Sequence, residues 1–532
     1  MSEQVDLLII GGGINGVGIA RDAVRRGLAV ALVERDDIGS GTSSASTKLI
    51  HGGLRYLEHF EFGLVHESLR ERELLLTLAP HLVHPLPFMI PVYRGGPYGR
   101  LKIGLGLMFY DLLTGRRTEM PRHVRLSAKD LRDAVPSIEP DGLLGGFLYH
   151  DAQVPYPERL CLENALDARS CGANILTRHV VTGFLHEGAR VIGVRVNDLD
   201  GGTEGEIRAR LTINATGPWV DAVLNLLDPR IADRMGGTRG MHVLLPRREG
   251  GPNAALYTPA RTDGRPFFIV PWREYYWVGT TDIVHPDPDT AVPTQRELDY
   301  LLTELRCLLP GARYTDDDVY YAQTGVRPLP AHDFENPGAI TRRHTIVDHR
   351  RRDGMCGLLS VIGGKLTTYR SLAEQVVDAA FRSWGTKPPP CQTSELGLPG
   401  AAPAERPKDA DPALFNHLLS LYGRHALDVL MLATREARFA ERLDPALPDI
   451  AAQVVWSVRY EMAKHLDDVL LRRTGIGTGH TEGLGCLERV ADLMAEELGW
   501  SVERRSQEVA RYRAFVARNH RIHEEDRRRS IS

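Results

Sequence analysis

The near-continuous apolar run at 5–10 predicts a strand buried on both faces. A glycine-rich turn, Gly11-Gly12-Gly13-Ile14-Asn15-Gly16, follows it. Next comes a helix carrying Ile14, Val17, Ala20 and Val24 toward one side. Gly27 ends that helix, and 28–33 reads as a second strand closing on Glu34. Pro- and Gly-punctuated segments occupy 85–150. A helix is expected over 160–175, paired strands over 176–196, and buried strands at 211–215 and 358–362. A β-rich stretch covers 238–345, clearest at 266–282, where two apolar runs flank Pro271-Trp272-Arg273-Glu274. Pro388-Pro389-Pro390 and the Ala/Pro-rich 400–407 mark a linker. Beyond it, Val454, Val458, Met462, Leu466 and Leu470 recur at four-residue spacing and predict one buried helix face.

The composition changes this picture mainly by exclusion. The chain has 532 residues, 42% hydrophobic and 25% charged, with a net charge of −4. These values exclude a disordered, fibrous or disulfide-stapled class and suit about three domains. Near-neutral charge argues against wholesale nucleic-acid binding. Cys161, Cys171, Cys307, Cys356, Cys391 and Cys486 form no CxxC pair, which fits a reducing compartment. No signal peptide and no membrane-spanning helix are expected: the longest apolar stretch, 103–110, is far short of the ~18 residues needed.

Gly11-x-Gly13-x-x-Gly16 between a strand and a helix fits a dinucleotide turn. Its glycines allow the tight turn and close approach to pyrophosphate, and the helix N-terminus favours the phosphates. Glu34 ends the second strand, where a carboxylate can take ribose hydroxyls. The motif alone suits NAD or FAD. Two further Gly-rich turns follow buried strands, at Asn214-Ala215-Thr216-Gly217 and Gly363-Gly364-Lys365. Each alone reads as an ordinary strand-to-helix turn. Together they favour FAD, whose flavin end needs additional backbone contacts, with a helix from near Leu366 aimed at the flavin edge.

A hydroxyl-rich loop, Thr42-Ser43-Ser44-Ala45-Ser46-Thr47-Lys48, leads into His51, Arg55 and Tyr56 beside Gly52-Gly53. Arg327, Arg342 and Lys365 add cations at turn-like positions, and arginine suits phosphate or carboxylate. Each singly is more often a surface charge, and spacing does not establish their convergence. His81 and His84 stand three apart between Pro80 and Pro85, with no nearby cysteine or carboxylate, so no metal site is read there. Glu461 and His465 read as a surface i,i+4 pair worth tenths of a kcal/mol.

The segments GGGINGVGIARDA, TSSASTKLIHGGLRYLEHFEFGLVHE, NATGPWVD, TGVRPLP and GGKLTTYR closely resemble the bacterial FAD-dependent (aerobic, respiratory) glycerol-3-phosphate dehydrogenases. These are D-amino-acid-oxidase-like flavoproteins. The resemblance runs to about residue 390, and VVWSVRYEMAKHLDDVLLRRTGIG is a weaker match to the family's helical C-terminal domain. It implies an α/β fold with a discontinuous Rossmann-like FAD-binding domain (1–85, 150–237 and 346–390). A β-rich substrate or cap domain (86–149 and 238–345) is inserted into it, and a C-terminal helical domain (391–532) is appended. The implied reaction oxidises sn-glycerol 3-phosphate to dihydroxyacetone phosphate, with hydride passing from C2 to flavin N5.

By the same resemblance, Arg55, Tyr56, Arg327, Arg342 and Lys365 surround the substrate, and His51, Arg327 and Lys365 carry the chemistry. His51 is favoured as base, since imidazole titrates near neutral pH, whereas a guanidinium keeps its proton. A cation polarising the alkoxide, with water or Lys365 as proton acceptor, stays open. FAD would be held by Gly11, Gly13, Ile14, Asn15, Gly16, Glu34 and Arg35 at its nucleotide end. The loop residues Thr42, Ser43, Ser44, Ser46, Lys48, Leu49, His51 and Gly53 join them. Val181, Ala215, Thr216, Gly217 and Trp219, with Gly364, Lys365, Leu366 and Thr367, complete the set.

Electrons would pass to ubiquinone or menaquinone. Ile103, Leu107, Met108 and Phe109 lie between Arg100, Lys102, Arg116 and Arg117, a pattern that suits a helix on an anionic bilayer surface. A core helix with snorkelling basic ends explains it equally. The resemblance favours a peripheral protein on the cytoplasmic face of the inner (plasma) membrane, and a homo-oligomer (dimer) that binds neither metal nor nucleic acid. Where the family commonly has Ser before a histidine, this chain has Met241. The Arg-rich tail, 503–529, reads as a solvated helix. Rival readings are an oxygen-dependent oxidase releasing hydrogen peroxide, a catalytically idle flavin-binding subunit, and an NAD-linked enzyme.

Overall fold

The computed structural model describes residues 3–114, 120–231, 234–331 and 343–523. Among these, an eight-stranded sheet has six strands in the order Thr345–Asp348, Leu358–Ile362, Glu204–Asn214, Glu3–Ile10, Val30–Glu34, Asn174–Thr177, with Arg190–Asp198 and then His179–Glu187 branching from Glu204–Asn214. Its central pairings are parallel, Leu7 facing both Leu211 and Val30. Alternation along the first strand decides the layers. Leu7 and Ile9 pack with Val17 and Ala20 of the helix Ile14–Arg25 and with Leu372 and Val376 of the helix Tyr369–Ser383. Leu8 and Ile10 face the opposite way, onto Val181, Val194 and Val196 of the antiparallel pair His179–Glu187 and Arg190–Asp198.

The second sheet has ten described strands and is mostly antiparallel. The strand Thr238–Pro246 pairs with Tyr275–Gly279 on one side and Tyr321–Arg327 on the other. The expected hairpin is present as Pro266–Trp272 and Tyr275–Gly279, with Trp272 opposite Tyr275. One element corrects the β-rich reading of 238–345: Gln295–Leu308 is a helix. Its Leu298, Leu301, Leu302 and Leu305 have helical spacing and bury against Met241, Val243 and Leu245.

Beyond the linker the described chain is helical, with its own core around Phe415, Leu421, Val454, Leu487 and Tyr512. The single helix face expected from Val454 to Leu470 is interrupted. The helix Ala451–Tyr460 ends, Met462 takes φ +61°, and a π-helical turn, Asp468–Arg473, follows. Two buried carboxylates account for the break. Glu461 turns inward to pair with Arg159 (2.7 Å), and Asp468 Oδ2 accepts from the backbone N–H groups of Lys464 (2.8 Å) and His465 (2.9 Å). Glu461 and His465 are therefore no surface pair: both are buried, and His465 Nδ1 lies 2.8 Å from Glu508. His81, also buried, lies 2.7 Å from Glu163, a carboxylate remote in the sequence.

The helix Arg100–Thr114 buries only Leu107 and Tyr110, while Leu101 (78%) and Leu112 (73%) are largely exposed, with Leu105, Met108 and Phe109. That pattern removes the core-helix reading. Exposed Phe60 and Phe62 lie at the start of the neighbouring helix, Phe62–Leu78. Arg116 and Arg117 fall outside the described residues. Among those described, no helix is long and apolar enough to cross a membrane.

Candidate active site

A cleft of about 840 Å³ opens where the parallel strands end, between the two sheets and the C-terminal domain. Carboxyl ends of parallel strands are where open α/β sheets bind ligands. The first turn is shaped by steric need. Gly11 has φ +107°, and a Cβ on Gly16 would fall 1.9 Å from the Gly11 carbonyl oxygen. Only glycine there brings the helix start against the strand. Gly13 caps the helix without a side-chain bond, and Ile14 N–H donates to Ser43 Oγ (3.0 Å). Glu34 Oε2 accepts from Gly12 N–H (2.6 Å) and Oε1 from Asp36 N–H (2.7 Å). Burial pushes the Glu34 carboxyl up to about 7, against the pull of those two N–H groups.

The late Gly-rich turn closes the other side. Gly364 (φ +104°) packs beside Asn15, whose Oδ1 is buried without a hydrogen-bond partner among the described residues. Thr367 Oγ1 accepts from His51 N–H at 3.2 Å, tying that turn to the His51 loop. A groove of crowded glycine backbone, a helix N-terminus, a buried carboxylate at the end of the second strand and an unsatisfied amide oxygen fits an extended dinucleotide such as FAD.

At the end beyond His51, Lys365 Nζ is buried, donates to Ser68 Oγ (3.0 Å) and lies 4.6 Å over the Tyr56 ring. Arg327, from the strand Tyr321–Arg327, donates to Asp282 Oδ1 (3.0 Å), Thr280 Oγ1 (2.8 Å) and the Thr281 carbonyl (3.0 Å). His242 Nε2 is 2.9 Å from Thr47 Oγ1, and its ring stacks on Trp277. Burial, then the charges of Arg327 and Lys48, push the His242 imidazole down to about 3, so it is neutral at physiological pH.

Most of the residues expected from sequence share this cleft wall: Gly11, Gly13, Ile14, Asn15, Glu34, Arg35, Thr42, Ser43, Ser44, Ser46, Leu49, His51, Tyr56, Val181, Ala215, Thr216, Gly217, Trp219, Arg327, Gly364, Lys365, Leu366 and Thr367. Others stand apart. Gly16 serves packing, as above. Gly53 (φ +80°) backs the wall, since a Cβ there would fall 2.3 Å from the Tyr56 ring. Lys48 is buried away from the cleft, 3.7 Å from Glu158 and over the faces of Trp272 and Trp277, and burial lowers its pKa. Arg55 is not in the wall; its charge acts on the phenols of Tyr98 and Tyr257. Arg342 lies outside the described residues.

Met241 does not reach the cavity. Strand alternation sends it into the core beneath Gln295–Leu308 and turns His242 to the cleft instead. The sequence reading missed His242, Thr324, Asp289 and Arg518, all in the wall. The phase of the strand Thr238–Pro246 carried the signal for His242; nothing local marked Arg518. Nor is the Arg-rich tail simply solvated: the helix Val502–Asn519 buries Tyr512 and Val516, and its far end borders the cleft. Residues 524–529 of that tail fall outside the described part.

Residues 6–370 match the family described as FAD dependent oxidoreductase, and residues 391–505 match the C-terminal domain of alpha-glycerophosphate oxidase. A glycerol-3-phosphate dehydrogenase of Synechocystis sp. is 41% identical, covering 97% of this chain and 96% of the relative. The mitochondrial glycerol-3-phosphate dehydrogenase of Homo sapiens is 34% identical over 97% of this chain and 73% of its own length. The crystal structure of the glycerol-3-phosphate dehydrogenase from Bacillus halodurans complexed with FAD superposes with a TM-score of 0.77 at 28% identity, covering 97% of this chain and 94% of that one.

Proposed function

The chain belongs to the FAD-dependent oxidoreductase family, among the glycerol-3-phosphate dehydrogenases, and from that premise we propose that it oxidises the C2 hydroxyl of sn-glycerol 3-phosphate to give dihydroxyacetone phosphate. The observation that carries this reading is that His51, Tyr56, Lys365 and Arg327 line the same cleft as the glycine-rich dinucleotide turn. Bound FAD supplies the two-electron acceptor for the C2 hydride. Arg327 and Lys365 neutralise the phosphate, the guanidinium offering a planar fork and the ammonium a compact charge. Asp282 fixes the direction of that fork through Arg327 Nη1. Tyr56 orients the substrate from beneath Lys365. His51 takes the hydroxyl proton, its backbone held by Thr367. Arg55, which lies outside the cleft wall, and Arg342 remain substrate partners on the sequence resemblance alone.

The electrons pass to a membrane quinone. Support comes from the exposed apolar face of Arg100–Thr114, beside Phe60 and Phe62, with basic Arg100 and Lys102 at its edge. Such a face suits the headgroup–acyl boundary of an anionic bilayer, and the sequence resemblance adds the cytoplasmic side of the inner membrane.

The deciding experiment is anaerobic. Purified yellow protein mixed with sn-glycerol 3-phosphate should lose its flavin band near ~450 nm within the dead time of manual mixing. A band that stays would remove this substrate while keeping the flavoprotein fold. Reoxidation by a short-chain quinone, compared with peroxide release in air, then separates dehydrogenase from oxidase. His51→Gln should retain FAD and slow the bleaching; an unchanged rate would remove His51 as the base.

A further inference from the structure

The segment 287–291 crosses from the second sheet to the nucleotide end of the cleft, and Asp289 is its point of attachment. Asp289 Oδ1 accepts from Arg35 Nη2 (3.1 Å) and from Trp219 Nε1 (2.9 Å). Arg35 itself lies 5.3 Å over the Trp219 ring, so the three side chains form one cluster beside Glu34. From the C-terminal domain, the Arg518 guanidinium donates to the Asp289 backbone carbonyl. The end of that helix is fastened to the same region by Gln295 N–H to His523 O (3.0 Å) and His523 N–H to Pro293 O (2.9 Å). Pro288, Asp289, Arg518 and Asn519 all border the cleft. Three parts of the chain, remote in sequence, thus meet over one end of the dinucleotide groove.

We infer that Asp289 and Arg518 are positioning residues for the cofactor: they latch the Arg35–Trp219 pair over the adenosine half of FAD and set how fast FAD leaves. The inference rests on the FAD assignment of the groove. Both side chains are solvent-exposed, so each contact is individually weak and none is needed for folding. The contacts act in series: Arg518 holds the backbone of the 287–291 segment and the Asp289 carboxylate holds the Arg35–Trp219 pair, so loss of either link frees that pair.

The test measures FAD release from loaded, gel-filtered protein by the rise of free-flavin fluorescence on dilution. Asp289→Ala and Arg518→Ala should each accelerate release about ten-fold, and the double variant should add little to either single one. Asp289→Asn keeps an acceptor for Trp219 and should recover most of the retention. Release unchanged in either alanine variant, or effects that multiply in the double variant, would overturn the latch. A lowered unfolding temperature with unchanged release would overturn it too, by reducing the contacts to structural ones. Failure of the wild-type protein to take up FAD at all would instead overturn the assignment on which the latch rests.

Discussion

Gly240→Ala isolates the contribution of Arg327 without touching a charged group. Gly240 lies on the strand Thr238–Pro246, in register with Gly325, and its φ is not in the left-handed region, so alanine brings no backbone strain. The added Cβ would instead fall 2.1 Å from Arg327 Nη2, 2.6 Å from Arg327 Cζ and 2.6 Å from Thr280 Oγ1. The guanidinium must retreat by about 1.3 Å to regain an ordinary contact near 3.4 Å. That movement breaks the Nη2 bonds to Thr280 and Thr281, the contacts that aim the fork into the cleft. Hydrogen bonds to a charged group are worth about 1.5–3 kcal/mol each, and a misplacement of ~1 Å in a reacting site costs about 10²-fold. The expected loss is therefore about 10²-fold in kcat/KM for sn-glycerol 3-phosphate, with flavin content near wild type. The assay is anaerobic dye reduction, with flavin measured on the same samples. Adding Arg327→Ala to Gly240→Ala should cost little beyond Arg327→Ala alone. Wild-type kcat/KM in Gly240→Ala, or full additivity with Arg327→Ala, would refute the claim that this glycine exists to seat the guanidinium.

Burial pushes the Glu34 carboxyl up to about 7 in the folded chain, against 4.5 for a glutamate in water, so its ionisation costs stability as pH rises between those values. At ~1.36 kcal/mol per pKa unit the flavin-free protein should lose up to about 3 kcal/mol from this group between pH 4.5 and 7, and none further above it. Glu34→Gln should flatten that part of the stability–pH curve, measured by urea unfolding, while weakening FAD binding; a slope equal to wild type would dismiss Glu34 as the source. Replacing Leu101, Leu105 and Leu112 together by Glu should abolish co-sedimentation with anionic phospholipid vesicles, given ~0.8 kcal/mol per buried methylene, and leave dye reduction intact. Persisting vesicle binding would move the membrane contact elsewhere. Asp37 receives Arg472 Nε (2.5 Å) and both terminal nitrogens of fully buried Arg473. Asp37→Ala should cost about 3–5 kcal/mol by leaving buried cations short of a partner, read by thermal unfolding. A change under ~1 kcal/mol would mean that Asp467 and Asp468 compensate.

Those predictions divide by how their residues could be found. The nucleotide groove was legible because each of its parts is local: a strand, a turn whose glycines satisfy one steric requirement, and an acid at the end of the next strand. Local patterns also located the Leu358–Ile362 strand and the Pro266–Trp272 hairpin. The reading lost accuracy where tertiary partners override local period. Val454, Val458, Met462, Leu466 and Leu470 keep helical spacing, yet Arg159, some 300 residues earlier in the chain, draws Glu461 inward and stops the helix at Tyr460. The burial of Asp468 and Arg472 follows in the same way from Asp37 and Arg178, which no window of the C-terminal sequence contains.

The C-terminal domain shows no cofactor motif of its own, yet its last described helix borders the cleft. Asp37 follows Glu34 by three residues, and the arginines that hold it come from Asp468–Arg473. Arg511, on the last described helix, pairs with Asp467 of the same knot, and Arg518, two turns on, meets Asp289. The nucleotide end of the cleft is thus gripped from behind by a buried charge cluster and from in front by an exposed one, both anchored in one helical unit. Buried charges of this kind cost desolvation and contribute little net stability against apolar replacements, but they fix one docking geometry because every alternative leaves a charge unpaired. Docking fixed to that degree is what the exposed contacts at Asp289 require, since single surface bonds have no power to orient a domain and can act on the cofactor only when something else has already set the distance.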